Sequence, residues 1–108
     1  MLDLVISPLA KEDMQEIGDY ISHELGNPVA AKHTIQRFHT AMMPLRQFPE
    51  MGSPLYAPGI QDVSYRFLVS GSYLIFYHIG DTSVQIDRVL YGRRDYMILL
   101  FGSGITEE

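Results

Sequence analysis

The stretch VSYRFLVSGSYLIFYHI, residues 63–79, decides the fold. Val63, Tyr65, Phe67 and Val69 alternate with Ser64, Arg66, Leu68 and Ser70. After Gly71-Ser72, Tyr73, Ile75, Tyr77 and Ile79 alternate with Leu74, Phe76 and His78. A period of two in β-branched and aromatic residues predicts strands, and Gly-Ser between them suits a type II′ turn with glycine in the first central position. Gly80-Asp81-Thr82 turns the chain again, and residues 84–91 form a third strand, completing an antiparallel meander. In that last strand Val84 and Ile86 set one phase, while Val89 and Tyr91 set the other. Either a bulge near Asp87 and Arg88 reconciles the two, or the strand end is covered on both sides and Arg88 carries its charged head to water.

Upstream of the meander the period is helical. Residues 2–7, LDLVIS, alternate as a first strand. Ser7-Pro8 then gives a capping residue followed by proline at the first helical position. Glu12 and Asp13 follow near the helix N-terminus, where the macrodipole favours negative charge. Ala10, Met14, Ile17, Ile21 and Leu25 form one apolar stripe, ended by Gly26. Asn27-Pro28 starts a second helix by the same logic, with Ala31, Ile35, Phe38, Met42 and Leu45 on one face. So short a joint makes the two helices antiparallel neighbours. Pro44 ends the regular part of the second helix, and residues 47–59 read as a loop.

The order β-α-α-β-β-β, with residues 93–101 as a short final helix or an extended tail, is α+β: a helical hairpin packed on one face of a small, mostly antiparallel twisted sheet. With 108 residues, 46% of them hydrophobic and 19% charged, the chain reads as one soluble globular domain over 1–108, with a frayed tail at 102–108. No apolar run is long enough to span a bilayer, and the N-terminus lacks the pattern of a signal peptide, so the expected partners include no membrane and the expected location is the cytoplasm. The absence of cysteine excludes disulfides and thiol catalysis. His23, His33 and His39 are scattered, and no phosphate loop or nucleophile elbow is present, so the expected metal and cofactor content is none.

The candidate site lies at the end of the last strand. The formal net charge is -5, which argues against general affinity for nucleic acid. Yet Arg66, Arg88, Arg93 and Arg94 fall in the second half, interleaved with Tyr65, Tyr73, Tyr77, Tyr91 and Tyr96. Arginine suits bidentate anion contact, and aromatic rings suit base stacking. Arg93-Arg94-Asp95 therefore reads either as an anion grip with Asp95 orienting a guanidinium, or as a helix start with solvated arginines. His78 reads either as a general base or as a packing residue in mid-strand.

Four segments in order, ISPLAKEDMQEIGDYI, the P-x-x-G of FPEMG, YRFLVSGSYLIFYHI and VQIDRVLYGRRDY, make the chain resemble the RelE/ParE superfamily, the toxins of type II toxin–antitoxin pairs, also called plasmid stabilisation proteins. The resemblance covers residues 4 to about 100 and implies the same fold. It also implies one of two activities, or else a decayed toxin that retains only antitoxin binding and leaves growth unimpaired. RelE-like members cleave mRNA on the ribosome using basic residues before the meander, an arginine early in its second strand, another after the last strand and a C-terminal Tyr or His. Here residues 47–59 hold no Lys or Arg, Leu74 stands at the strand position, Leu100 or a neighbour stands at the terminal one, and Arg94 alone matches; His78 would join it as a catalytic group. ParE-like members bind DNA gyrase, trap it on cleaved DNA and need no catalytic residue of their own. The segments here are closer to that branch, which implies a growth-inhibiting toxin with a target-binding surface at Arg88, Arg93, Arg94, Asp95 and Tyr96. Either branch implies a cognate antitoxin bound at the helical hairpin and a sheet edge. Ile98, Leu99, Leu100 and Phe101 are an apolar patch suited to that partner or to closing the core. Both a homodimer and a hetero-oligomer with antitoxin are compatible with the sequence.

Overall fold

The computed structural model describes residues 1–55 and 65–92. The chain forms strand β1 (Asp3–Ile6), helix α1 (Pro8–Asp19) with a π-helical turn (Tyr20–Glu24), helix α2 (Pro28–Met42) and two 3₁₀ turns (Met43–Arg46 and Pro49–Met51). Strands β2 (Ser53–Pro54), β3 (Tyr65–Ser70), β4 (Tyr73–Ile79) and β5 (Ser83–Tyr91) follow. The strands form one sheet in the order β1-β5-β4-β3-β2. The meander pairs antiparallel, β1 joins β5 in parallel, and the two helices pack on one face, as expected of an α+β fold.

Local chemistry explains the elements. The Ser7 hydroxyl accepts the Ala10 N–H at 3.0 Å and donates to the Asp87 carbonyl at 3.0 Å, so the cap of α1 also ties the helix start to β5. Asn27 caps α2 through its side-chain oxygen and the Ala30 N–H. Gly26 takes the left-handed conformation, φ +63°, and the Asn27 N–H closes back on the Ile21 carbonyl. Gly71 has φ +61° and Ser72 stays negative, the sign pattern of the expected type II′ turn.

The core between helices and sheet holds Ala10, Met14, Phe38, Met42, Leu45, Ile75, Tyr77, Val84, Ile86 and Val89. A second apolar cluster, Leu55, Leu74 and Phe76, occupies the other face of the sheet.

Three details differ from the sequence reading. Leu25 does not continue the stripe of α1; it is 60% exposed, because the wider π turn shifts the helical phase after Ile21. Part of the expected loop at 47–59 is a strand: Ser53 and Pro54 pair with Phe67 and Arg66. Glu12 and Asp13 lie beyond the first turn of α1, and Asp13 turns inward and is not a dipole-stabilising surface charge. The expected strand start at Val63, the tail over 93–101, the frayed end at 102–108 and the patch from Ile98 to Phe101 fall outside the described residues.

Candidate functional site

The predicted bulge exists and organises the end of the sheet. Phe76 pairs with Arg88 and Tyr77 with Ile86, leaving Asp87 as the extra residue of β5. Its insertion lets Val84 and Ile86 on one side of the bulge, and Val89 on the other, all face the helices.

Each residue at the bulge acquires a partner. The Arg88 head does not go to water. Its Nε donates to Asp13 Oδ2 at 2.8 Å and its Nη2 donates to Asp13 Oδ1 at 2.8 Å, a bidentate fork. Asp13 Oδ2 also accepts the buried Val89 N–H at 2.9 Å. The hydrogen bond to Asp13 holds the guanidinium protonated above its already high range. One carboxylate thus neutralises a cation and satisfies part of the outer edge of β5 just beyond the end of its pairing with β1 at Ile6–Ile86.

On the opposite side of the bulge, His78 Nδ1 lies 2.8 Å from Asp87 Oδ2 and 3.0 Å from Oδ1. An ionised carboxylate only accepts, so Nδ1 carries the proton and Nε2 is the nitrogen left for other chemistry. The Tyr65 ring lies beside the imidazole at 5.1 Å between centroids. Burial pushes the Asp87 carboxyl up from the ordinary aspartate range, partly offset by the His78 hydrogen bond. The folded chain therefore holds this proton more tightly than the unfolded chain, and the contribution of Asp87 to stability falls as pH rises through the folded value. A carbon-13 NMR titration of the Asp87 carboxyl is expected to show a midpoint above that of an exposed aspartate; a midpoint at or below it would refute this account.

Tyr73 packs edge-on against Phe38 at 5.3 Å and against Tyr91 at 5.5 Å. Burial, followed by the neighbouring Tyr91 and Tyr20 hydroxyls, pushes the Tyr73 phenol up. Of the sequence-predicted site residues, the structure places Arg88 on Asp13 and His78 on Asp87, on opposite sides of one bulge. Arg93, Arg94, Asp95 and Tyr96 lie outside the described residues. Sequence reasoning missed Asp13, although a signal was available: Ala10, Asp13, Met14 and Ile17 share one helical face, so the carboxylate sits in the inward stripe.

The model of the ParE toxin of the type II toxin–antitoxin system parDE matches residues 4–96. The chain belongs to this toxin family. Among solved structures, this ParE-family chain is similar to the chromosomal ParDE toxin–antitoxin system from P. aeruginosa, with TM-score 0.70 and 21% identity over 86% of this chain and 98% of that one. The RelBE2 toxin–antitoxin complex from Mycobacterium tuberculosis gives TM-score 0.52 and 20% identity over 83% and 90%. The E. coli DinJ–YafQ toxin–antitoxin complex gives 0.53 and 16% over 94% and 98%. At these identities the likeness is one of fold. No curated protein sequence matches significantly. Within the ParE-family chain, no helix among the described residues is long and apolar enough to cross a membrane.

Proposed function

We propose that this ParE-family chain is the toxin of a type II toxin–antitoxin pair, a single domain that arrests growth by binding DNA gyrase and is held inactive by a cognate antitoxin. Family membership supports the toxin role, and the similarity to toxin–antitoxin complexes supports an antitoxin partner. The observation that carries the choice of target is Leu74. The ribonuclease branch implies an arginine there, to stabilise charge at a phosphate. Here the side chain is apolar, 4% exposed and packed with Leu55 and Phe76. A surface without that cation suits binding better than phosphodiester cleavage. Arg93, Arg94, Asp95 and Tyr96 are the target-facing residues in this reading, with Arg88 shaping the strand that leads to them.

Purified chain is expected to inhibit gyrase supercoiling and to lose most of that inhibition with Arg94→Ala; unchanged supercoiling at large molar excess would sink the reading. A second reading, ribosome-dependent mRNA cleavage, draws support from one observation, the His78–Asp87 pair, which leaves Nε2 available for proton transfer. It predicts codon-positioned cuts on translating ribosomes that disappear with either His78→Ala or Arg94→Ala.

A further inference from the structure

A groove of about 690 Å³ separates α1 and its π turn from the ends of β4 and β5. Ile17, Tyr20, Leu25, Tyr73 and Tyr91 line it, with Glu16 also contributing. Tyr20 is 55% exposed and Tyr91 76% exposed, so with Leu25 three large side chains present apolar surface in one place. A concentration of this kind marks an interaction surface more often than scattered exposed residues do. The edge-on contacts of Tyr73 with Phe38 and Tyr91 also fix part of the aromatic wall before any partner arrives.

Electrostatics selects the partner. Along α1 and the π turn stand Glu12, Asp13, Glu16, Asp19 and Glu24, against Lys11 as the permanent cation. Arg88 on the facing wall is already neutralised by Asp13. Among the described residues, the charged side chains that line the groove, Asp13, Glu16 and Arg88, therefore sum to a net negative charge, and Glu12 nearby adds to the negative field that also acts on Arg88. A phosphate or an acidic segment is repelled there. A guanidinium is attracted, and its flat face stacks on tyrosine rings where an ammonium would hold a tighter water shell.

We propose that this groove receives a protein segment that presents arginine between apolar side chains, the guanidinium on the tyrosine wall beside Glu16 and the apolar flanks on Ile17 and Leu25. The inference deepens the antitoxin part of the proposed function and rests on it, naming the chemistry of the segment that docks.

The test uses the full chain and two short synthetic amphipathic peptides, identical except that the arginines of one are glutamates in the other. Calorimetry is expected to give at least about tenfold tighter binding for the arginine peptide. NMR should show its effects at the Tyr20 and Tyr91 side chains. Glu16→Lys and Tyr91→Ser, both changes at the groove, are each expected to weaken that peptide about tenfold while circular dichroism and thermal unfolding remain those of the parent. Equal affinity for the two peptides, no binding of either, or unchanged affinity in both variants would overturn the inference. Growth rescue by co-expressing the protein of the neighbouring reading frame tests the antitoxin reading separately. Rescue with failed peptide binding sinks the groove assignment alone, whereas failed rescue sinks the antitoxin reading whatever the peptides do.

Discussion

Asp13→Ala is expected to destabilise the fold by about 3 kcal/mol or a little more, the lower end of what removing one partner of a buried ion pair costs, because the Arg88 side chain keeps 21% of its surface exposed. Asp13 is 8% exposed, and its carboxylate accepts three N–H groups, two from Arg88 and one from the backbone of Val89. Alanine leaves the guanidinium mostly covered without a counter-charge and the Val89 N–H buried without an acceptor. The main cost is this loss of compensation, since removing a few atoms from the side of a helix is cheap by comparison. Equilibrium denaturation should show a lower midpoint with an unchanged slope. Adding Arg88→Met to Asp13→Ala should recover part of the loss, because the stranded charge is then gone while its packing volume remains. An Asp13→Ala cost below about 1 kcal/mol would show that water or another group replaces the carboxylate.

This bears on how variants at the site are read. Arg88 was a candidate for target contact, yet its donors Nε and Nη2 are engaged by Asp13. A loss of toxicity in Arg88→Ala would therefore report first on the strand and only second on the target. Arg94→Ala is the cleaner probe of the proposed gyrase binding, provided that its unfolding midpoint matches the parent.

Much of the fold was legible because the chain punctuates itself. Ser7-Pro8, Gly26-Asn27-Pro28 and Gly71-Ser72 each mark a boundary with a residue chosen for backbone geometry, and each acts in the structure as its chemistry requires. The phase break in the last strand was equally readable, since Val84, Ile86 and Val89 cannot share a face without an inserted residue. The π turn was not readable. Its effect is a shift of one residue in hydrogen bonding, and spacings of four at Ile17, Ile21 and Leu25 fit an ordinary helix equally well. β2 escaped notice because a two-residue strand has no period, and Pro54 argues locally against pairing.

The site was less legible, since its important relations are distant in sequence. Asp13 and Arg88 are separated by 75 positions, and nothing local to either announces the other. His78 and Asp87 face each other only because the bulge adds a residue between two paired strands. The phase break at Arg88 allowed its head to be carried to water, whereas an acid on α1, Asp13, supplies its partner.

Gly52→Ala should cost about 3 kcal/mol, and the reason is space. Gly52 has φ -76° and ψ 167°, extended backbone that alanine adopts freely. A Cβ built there would stand 2.5 Å from the Tyr77 hydroxyl and 2.7 Å from the Phe67 carbonyl. Neither obstacle can swing aside. The Tyr77 ring is fully buried; its hydroxyl donates to the Pro49 carbonyl at 2.7 Å and accepts the Gly52 N–H at 3.0 Å. The Phe67 carbonyl belongs to the backbone of β3. Overpacking of this kind typically costs 1–3 kcal/mol, and a displaced hydroxyl adds the loss of its buried hydrogen bonds. Tyr77→Phe alone should cost about 1–3 kcal/mol, because it leaves the Gly52 N–H without its acceptor. In the double variant the two costs should fall short of additive by at least about 1 kcal/mol, since deleting the hydroxyl vacates the position that the new methyl group needs. Full additivity, or a Gly52→Ala protein as stable as the parent, would refute the steric account. The spacing P-x-x-G then has a local cause: Pro49 and Gly52 are the two backbone positions that one buried tyrosine hydroxyl can bridge. Arg66 reinforces the same turn by donating to the Gly52 carbonyl at 2.8 Å, which fastens it to the adjoining strand.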